Sequence, residues 1–115
     1  MIDLPAPRFE ALVADALDAI PEELSRSMDN VWVTVEDLPP RPGLLGLYDG
    51  VPLTARDGGY AGMVMPDRIT LYRRPICSAC ATEDEVVEMV RETVVHEVAH
   101  HFGIDDDRLD ELGWA

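Results

Sequence analysis

The chain contains no lysine: its nine basic residues are all arginine, set against 23 aspartates and glutamates, for a formal net charge of −14 over 115 residues. Such an acidic surface repels nucleic-acid phosphates and anionic lipid headgroups, so neither is expected as a partner. Cysteine is scarce, with two residues, too few to staple a small fold through disulfides. No apolar run approaches the ~20 residues that cross a bilayer. The opening MIDLPAPRFE carries an acid and two prolines where a signal peptide would place positive charge and then an apolar stretch. A cytoplasmic protein is therefore expected. There is no internal repeat and no low-complexity linker. The length suits one compact domain, 1–115, and an apolar share of 47% suits a packed core.

Helical and extended patterns alternate along the chain. Phe9, Leu12, Val13, Ala16, Leu17 and Ile20 recur at helical spacing, which predicts a helix over 7–20 with Pro7 in its first turn. Pro21 closes it and opens a second, with Glu22 and Glu23 at the positive end of the macrodipole and Leu24 and Met28 inward. Asp29-Asn30 marks a turn. Val31–Val35 is a β-branched run, Leu44–Tyr48 a short second strand, and Arg68–Arg73 a third. The glycines and prolines of 52–66 read as a loop. Thr82 with Glu85 three residues on forms a capping box for a helix over about 83–102, closed by Gly103. An acidic tail follows, with Leu109, Leu112 and Trp114 available to anchor it. Trp32 and Trp114 are expected as core anchors.

The chemistry is concentrated in His96-Glu97-Val98-Ala99-His100. On a helix, residues four apart lie about 40° apart around the axis and one turn apart along it, so His96 and His100 can aim two imidazoles at one ion. That is the spacing a tetrahedral zinc site takes from a single helix. Glu97 flanks the same face without being forced to ligate, where a carboxylate can accept a proton from a zinc-activated water. Val86, Val90, Val94, Val98 and Phe102 form an i+4 row that should face the core, with the two histidines on its flank. Glu85, Glu88 and Glu92 fall on the solvated arc. His101 falls on the core side, as a residue that packs or that supports a ligand, and not as a ligand itself. A third protein ligand must come from beyond Gly103, where Asp105, Asp106 and Asp107 follow and Glu111 lies further on.

The stretch HEVAHHFGIDD, residues 96–106, fits HExxHxxGxxD and resembles the metzincin pattern with Asp in place of the last His. It is similar to a family of short bacterial zincin-like metallopeptidases with a minimal zincin fold. LLGLYDGVPLT (44–54), PDRITLYRRPI (66–76) and the tail DDDRLDELGW extend the likeness over most of the chain from about Asp29. The resemblance implies an α+β fold, a small mixed sheet packed on the active-site helix and the N-terminal helices. It implies Zn2+ held by His96, His100 and Asp106, with Glu97 as the catalytic base. In zincins an edge strand beside that helix often holds an extended peptide by main-chain pairing; which strand would do so here is open. The methionine turn of metzincins is missing, since none of the nine residues after Asp106 is methionine. The second subdomain of larger zincins is missing as well, so an open site is expected.

The function expected is hydrolysis of peptides or small proteins, for which a monomer suffices. The alternative is a metal-binding interaction or regulatory module without catalysis, whose zinc pins the tail through a closed ligand set that includes Glu111 or Asp105. Cys77 and Cys80 form a CxxC just ahead of the long helix. They read as ordinary loop cysteines, with a local disulfide or redox pair as the less favoured role. Arg73 and Arg74 read as a solvated pair, with steering of a substrate carboxylate as the less favoured role.

Overall fold

The computed structural model describes residues 1–28, 30–50, 67–104 and 106–113, with Ser27 and Asp106 described by their backbone alone. The elements are α1 (Ala6–Asp18), α2 (Glu22–Ser27), β1 (Val31–Glu36), β2 (Gly46–Asp49), β3 (Asp67–Tyr72), α3 (Arg73–Ser78), α4 (Glu83–His101) and α5 (Asp106–Leu112). The expected loop over 52–66, Asp29 of the expected turn, and Trp114 lie outside the described residues. Asn30 of that turn takes a left-handed φ of 62°, which asparagine tolerates better than most side chains.

The fold is α+β, with a three-stranded mixed sheet in the order β1-β3-β2. β1 runs parallel to β3 and β2 antiparallel to it. Register places Val31, Val33 and Val35 on one face with Ile69, Leu71, Gly46 and Tyr48. α4 packs against β2 and β3, and α1 packs along α4. The contact is close: a Cβ on Gly46 would sit 2.7 Å from Thr93 Cγ2, so glycine at this position lets β2 approach the helix.

The core follows the periodicities. Phe9, Leu12, Val13 and Ala16 of α1 are buried, as are Val86, Val90, Val94, Val95, Val98 and Ala99 of α4. Phe102 does not complete the row. It is the C-cap of α4, no longer helical, and is 51% exposed against the edge of the His101 ring. The helix opens on the expected box: the Glu85 N–H donates to Thr82 Oγ1 at 3.2 Å, and the Glu85 carboxylate accepts from Ala81 N–H at 3.3 Å.

Three further expectations need correction. Trp32 is no core anchor: it stands 63% exposed on the face of β1 opposite the valines. Cys77 is no loop cysteine, and Cys80, though in the loop that follows, is buried. The sequence RRPICS folds as α3, which buries Ile76 and Cys77, and Cys80 follows at 1% exposure. Burial pushes both thiols up, which disfavours the thiolate that redox exchange requires; both are free. Arg73 is likewise no solvated side chain, since its Nε donates to Asp37 Oδ1 at 2.9 Å and its Nη1 to the Leu4 carbonyl at 2.6 Å. No helix among the described residues is long and apolar enough to cross a membrane.

Candidate active site

The last two turns of α4 carry the site. Val94, Val95, Val98 and Ala99 are fully buried, which fixes the rotation of the helix. The same rotation leaves His96 and His100 exposed and Glu97 half-buried beside them. The two imidazoles lie on one flank with ring centroids 6.0 Å apart and planes inclined by 28°. Two imidazoles sharing one tetrahedral ion at about 2.0–2.1 Å would have centroids roughly 5 Å apart. A modest side-chain rotation therefore suffices, and the nitrogen donors fit zinc. Burial pushes the Glu97 carboxyl above its ordinary range, opposed by the nearby imidazoles of His100 and His96. A lifted carboxylate is a better proton acceptor than a solvated one.

The chain reverses directly after the site. Gly103 takes φ 78°, where a side chain would be strained. Its N–H donates to the His100 carbonyl at 3.1 Å and the Ile104 N–H to the Ala99 carbonyl at 2.8 Å. These two bonds are the Schellman pair that closes orphan carbonyls at a helix end. The acidic tail then forms α5, which the sequence pattern did not predict, and fully buried Leu109 anchors it. Asp106 is the first residue of α5; its carboxylate, like Asp105, lies outside what is described. Among the described residues no group of three His, Cys, Asp or Glu side chains is placed to hold a metal. Glu111, the other ligand considered, is exposed and accepts from Arg108 Nη1 at 2.9 Å.

His101 packs as expected, with its ring stacked on Tyr48 at a centroid distance of 4.0 Å. The Tyr48 hydroxyl donates to Oδ2 of buried Asp67 at 2.7 Å, and His101 Nε2 stands 3.8 Å from the same oxygen. This cluster ties β2, β3 and the end of α4 together behind the histidine pair. Sequence reasoning missed Tyr48 and Asp67 as neighbours of the site. An aspartate at the first, core-facing position of a strand was the one available signal.

The chain matches none of the curated proteins. Among solved structures it is similar to a conserved hypothetical protein from Thermus thermophilus, with a TM-score of 0.54 and 25% identity over 85% of this chain and 94% of the other. Residues 28–114, which include both histidines, Glu97 and the whole sheet, match the zincin-like metallopeptidase family, and the chain belongs to that family.

Proposed function

We propose that the chain is a zinc-dependent hydrolase of peptide bonds, acting on peptides or small proteins, with the cytoplasm as its expected site of action. The observation that carries this reading is the pair of exposed imidazoles on one flank of α4, with the half-buried Glu97 carboxylate beside them and near enough for both to act on its proton affinity. His96 and His100 would hold the metal from the helix. Asp106 would complete the protein ligands from the start of α5, brought back toward the helix by the turn at Gly103. When bound, zinc would acidify a water and polarise the carbonyl under attack.

Glu97 accepts the proton released by the attacking water and returns it to the departing amine. Its partial burial favours this cycle, because it lifts the proton affinity of the carboxylate. Among the described residues β2 is an edge strand, and it packs on α4. It is the strand suited to hold an extended substrate by main-chain hydrogen bonds beside the histidines. The engagement of Glu111 with Arg108 weighs against a closed, non-catalytic ligand set that includes Glu111.

The test is a broad quenched-peptide library, assayed with zinc-loaded protein and with Glu97→Gln carrying equal zinc. Cleavage by the first and a loss on the order of 10²–10⁴-fold in the second is expected. Equal cleavage by both, or none by either with zinc bound, rejects the proposal.

A further inference from the structure

At the opposite edge of the sheet from β2, β1 pairs only with β3 among the described residues. Natural edge strands are usually blunted by lysine, proline or a bulge. The β1 sequence VWVTVE has no proline and no charge before its last residue. Its helix-side residues are only half-buried, whereas their register partners Ile69 and Leu71 on β3 are fully buried. The shortfall is a groove of about 500 Å³ between β1 and α1, lined by Val13, Ala14, Leu17, Val33 and Val35 together with Glu10. On the other face of the same strand Trp32 is 63% exposed, and Leu38 just beyond the strand is 65% exposed. Among the described residues this edge is unpaired, and it carries exposed apolar surface on both of its faces.

We infer that β1 and the α1 groove form a docking site for an extended segment of another protein, one that alternates apolar and basic side chains and joins the sheet as a fourth strand. The alternation follows from the pleat: every second side chain of an added strand drops toward Leu17, Val33 and Val35, and the rest lie on the face of Trp32. The six residues of β1 offer about 20 Å of edge. The basic character follows from charge. Glu36 is exposed on the same face of β1 as Trp32, where those alternate side chains fall and where the open indole can take a guanidinium over its ring; among the described residues Glu10 is the one charged residue lining the groove, and the chain carries −14 overall. A second copy of this chain would set −14 against −14 and bring Glu10 toward its own mate, so a cationic partner fits better. This site is separate from the histidine pair and does not depend on catalysis.

The test uses the full chain and a blocked, dye-labelled heptapeptide of alternating arginine and valine. Fluorescence anisotropy gives affinity, and amide hydrogen exchange locates the contact. The peptide is expected to bind and to slow exchange at Trp32–Val35. A glutamate-for-arginine peptide, and one with proline at its central valine, should each bind at least tenfold more weakly. Ala14→Arg, at an exposed position in the groove, should weaken binding at least tenfold. Glu23→Arg, a larger charge change on α2, should leave binding within twofold. Trp32→Thr, which keeps a strand-forming residue, should weaken it about threefold or more. EDTA should change nothing. Binding indifferent to Ala14→Arg, protection on β2 in place of β1, or affinity lost with zinc would overturn the inference. So would a dimer of the free chain that Ala14→Arg dissociates, because the occupant would then be a second copy.

Discussion

The His101 imidazole lies face to face on the Tyr48 ring, with centroids 4.0 Å apart and planes 18° from parallel. The next residue toward the N-terminus, His100, is exposed and shares a flank of α4 with His96. Successive residues on a helix differ by about 100°, so one histidine can brace the helix end against β2 while its neighbour is left for chemistry. Tyr48→Phe keeps the stack and removes the hydroxyl that donates to Asp67. A loss of about 1–2 kcal/mol in urea unfolding is expected, because a buried carboxylate loses a donor. Unchanged stability would show that the bond is dispensable.

His96→Ala and His100→Ala should each weaken zinc binding by at least about a hundredfold in a chelator competition, more than the loss of an outer hydrogen bond around a metal. Both side chains are exposed, so the metal-free variants should stay within about 0.5 kcal/mol of the parent. Retention of tight zinc by either variant contradicts the ligand assignment.

Glu97→Gln should stabilise the metal-free protein near neutral pH. Burial holds the folded carboxyl above its unfolded value. A raised group contributes stability that is full below the unfolded pKa, about 4.3, and lost as pH rises through the folded value. Gln does not titrate and escapes that loss. A gain in melting temperature at pH 7 that shrinks toward pH 4 is the expected pattern in thermal melts. A variant less stable than the parent at every pH would contradict it.

Leu109 is fully buried and holds α5 against the core. Leu109→Ala should reduce stability by about 2–4 kcal/mol. If Asp106 is a ligand, the looser tail should also weaken zinc binding, and added zinc should restore more stability to this variant than to the parent. Stabilisation by zinc that is equal in both would uncouple the tail from the metal.

Burial lifts both Cys77 and Cys80. The folded chain therefore holds these protons more tightly than the unfolded one. The stability this carries is present below the unfolded pKa of about 8.5 and falls as pH rises through the folded values. Melting temperature should decline above about pH 8.5 in the parent and less steeply in Cys77→Ala/Cys80→Ala. At pH 7 the thiols should react with Ellman's reagent only on unfolding.

Gly46 and Gly50 have Cβ positions 2.7 Å from Thr93 Cγ2 and His101 Cε1 respectively. Neither close approach was legible in the sequence, because both depend on how tightly β2 docks on a helix far along the chain. α3 was missed for a related reason. RRPICS has weak helical periodicity, and the burial of Ile76 and Cys77 selects the helix. Trp32 was misjudged because size and hydrophobicity favour burial, yet its place on β1 puts it opposite the core valines.

The histidine spacing, the capping box at Thr82, the valine row and the glycine turn at residue 103 are local, repeating at one turn or less, so sequence alone determined where α4 lies and which flank bears the imidazoles. The sheet order, the partial burial that lifts Glu97, the brace from Tyr48 to His101 and the open edge of β1 join residues distant in sequence. Only tertiary packing decided those, because a carboxylate's solvation and a strand's unpaired edge are set by what the rest of the chain covers.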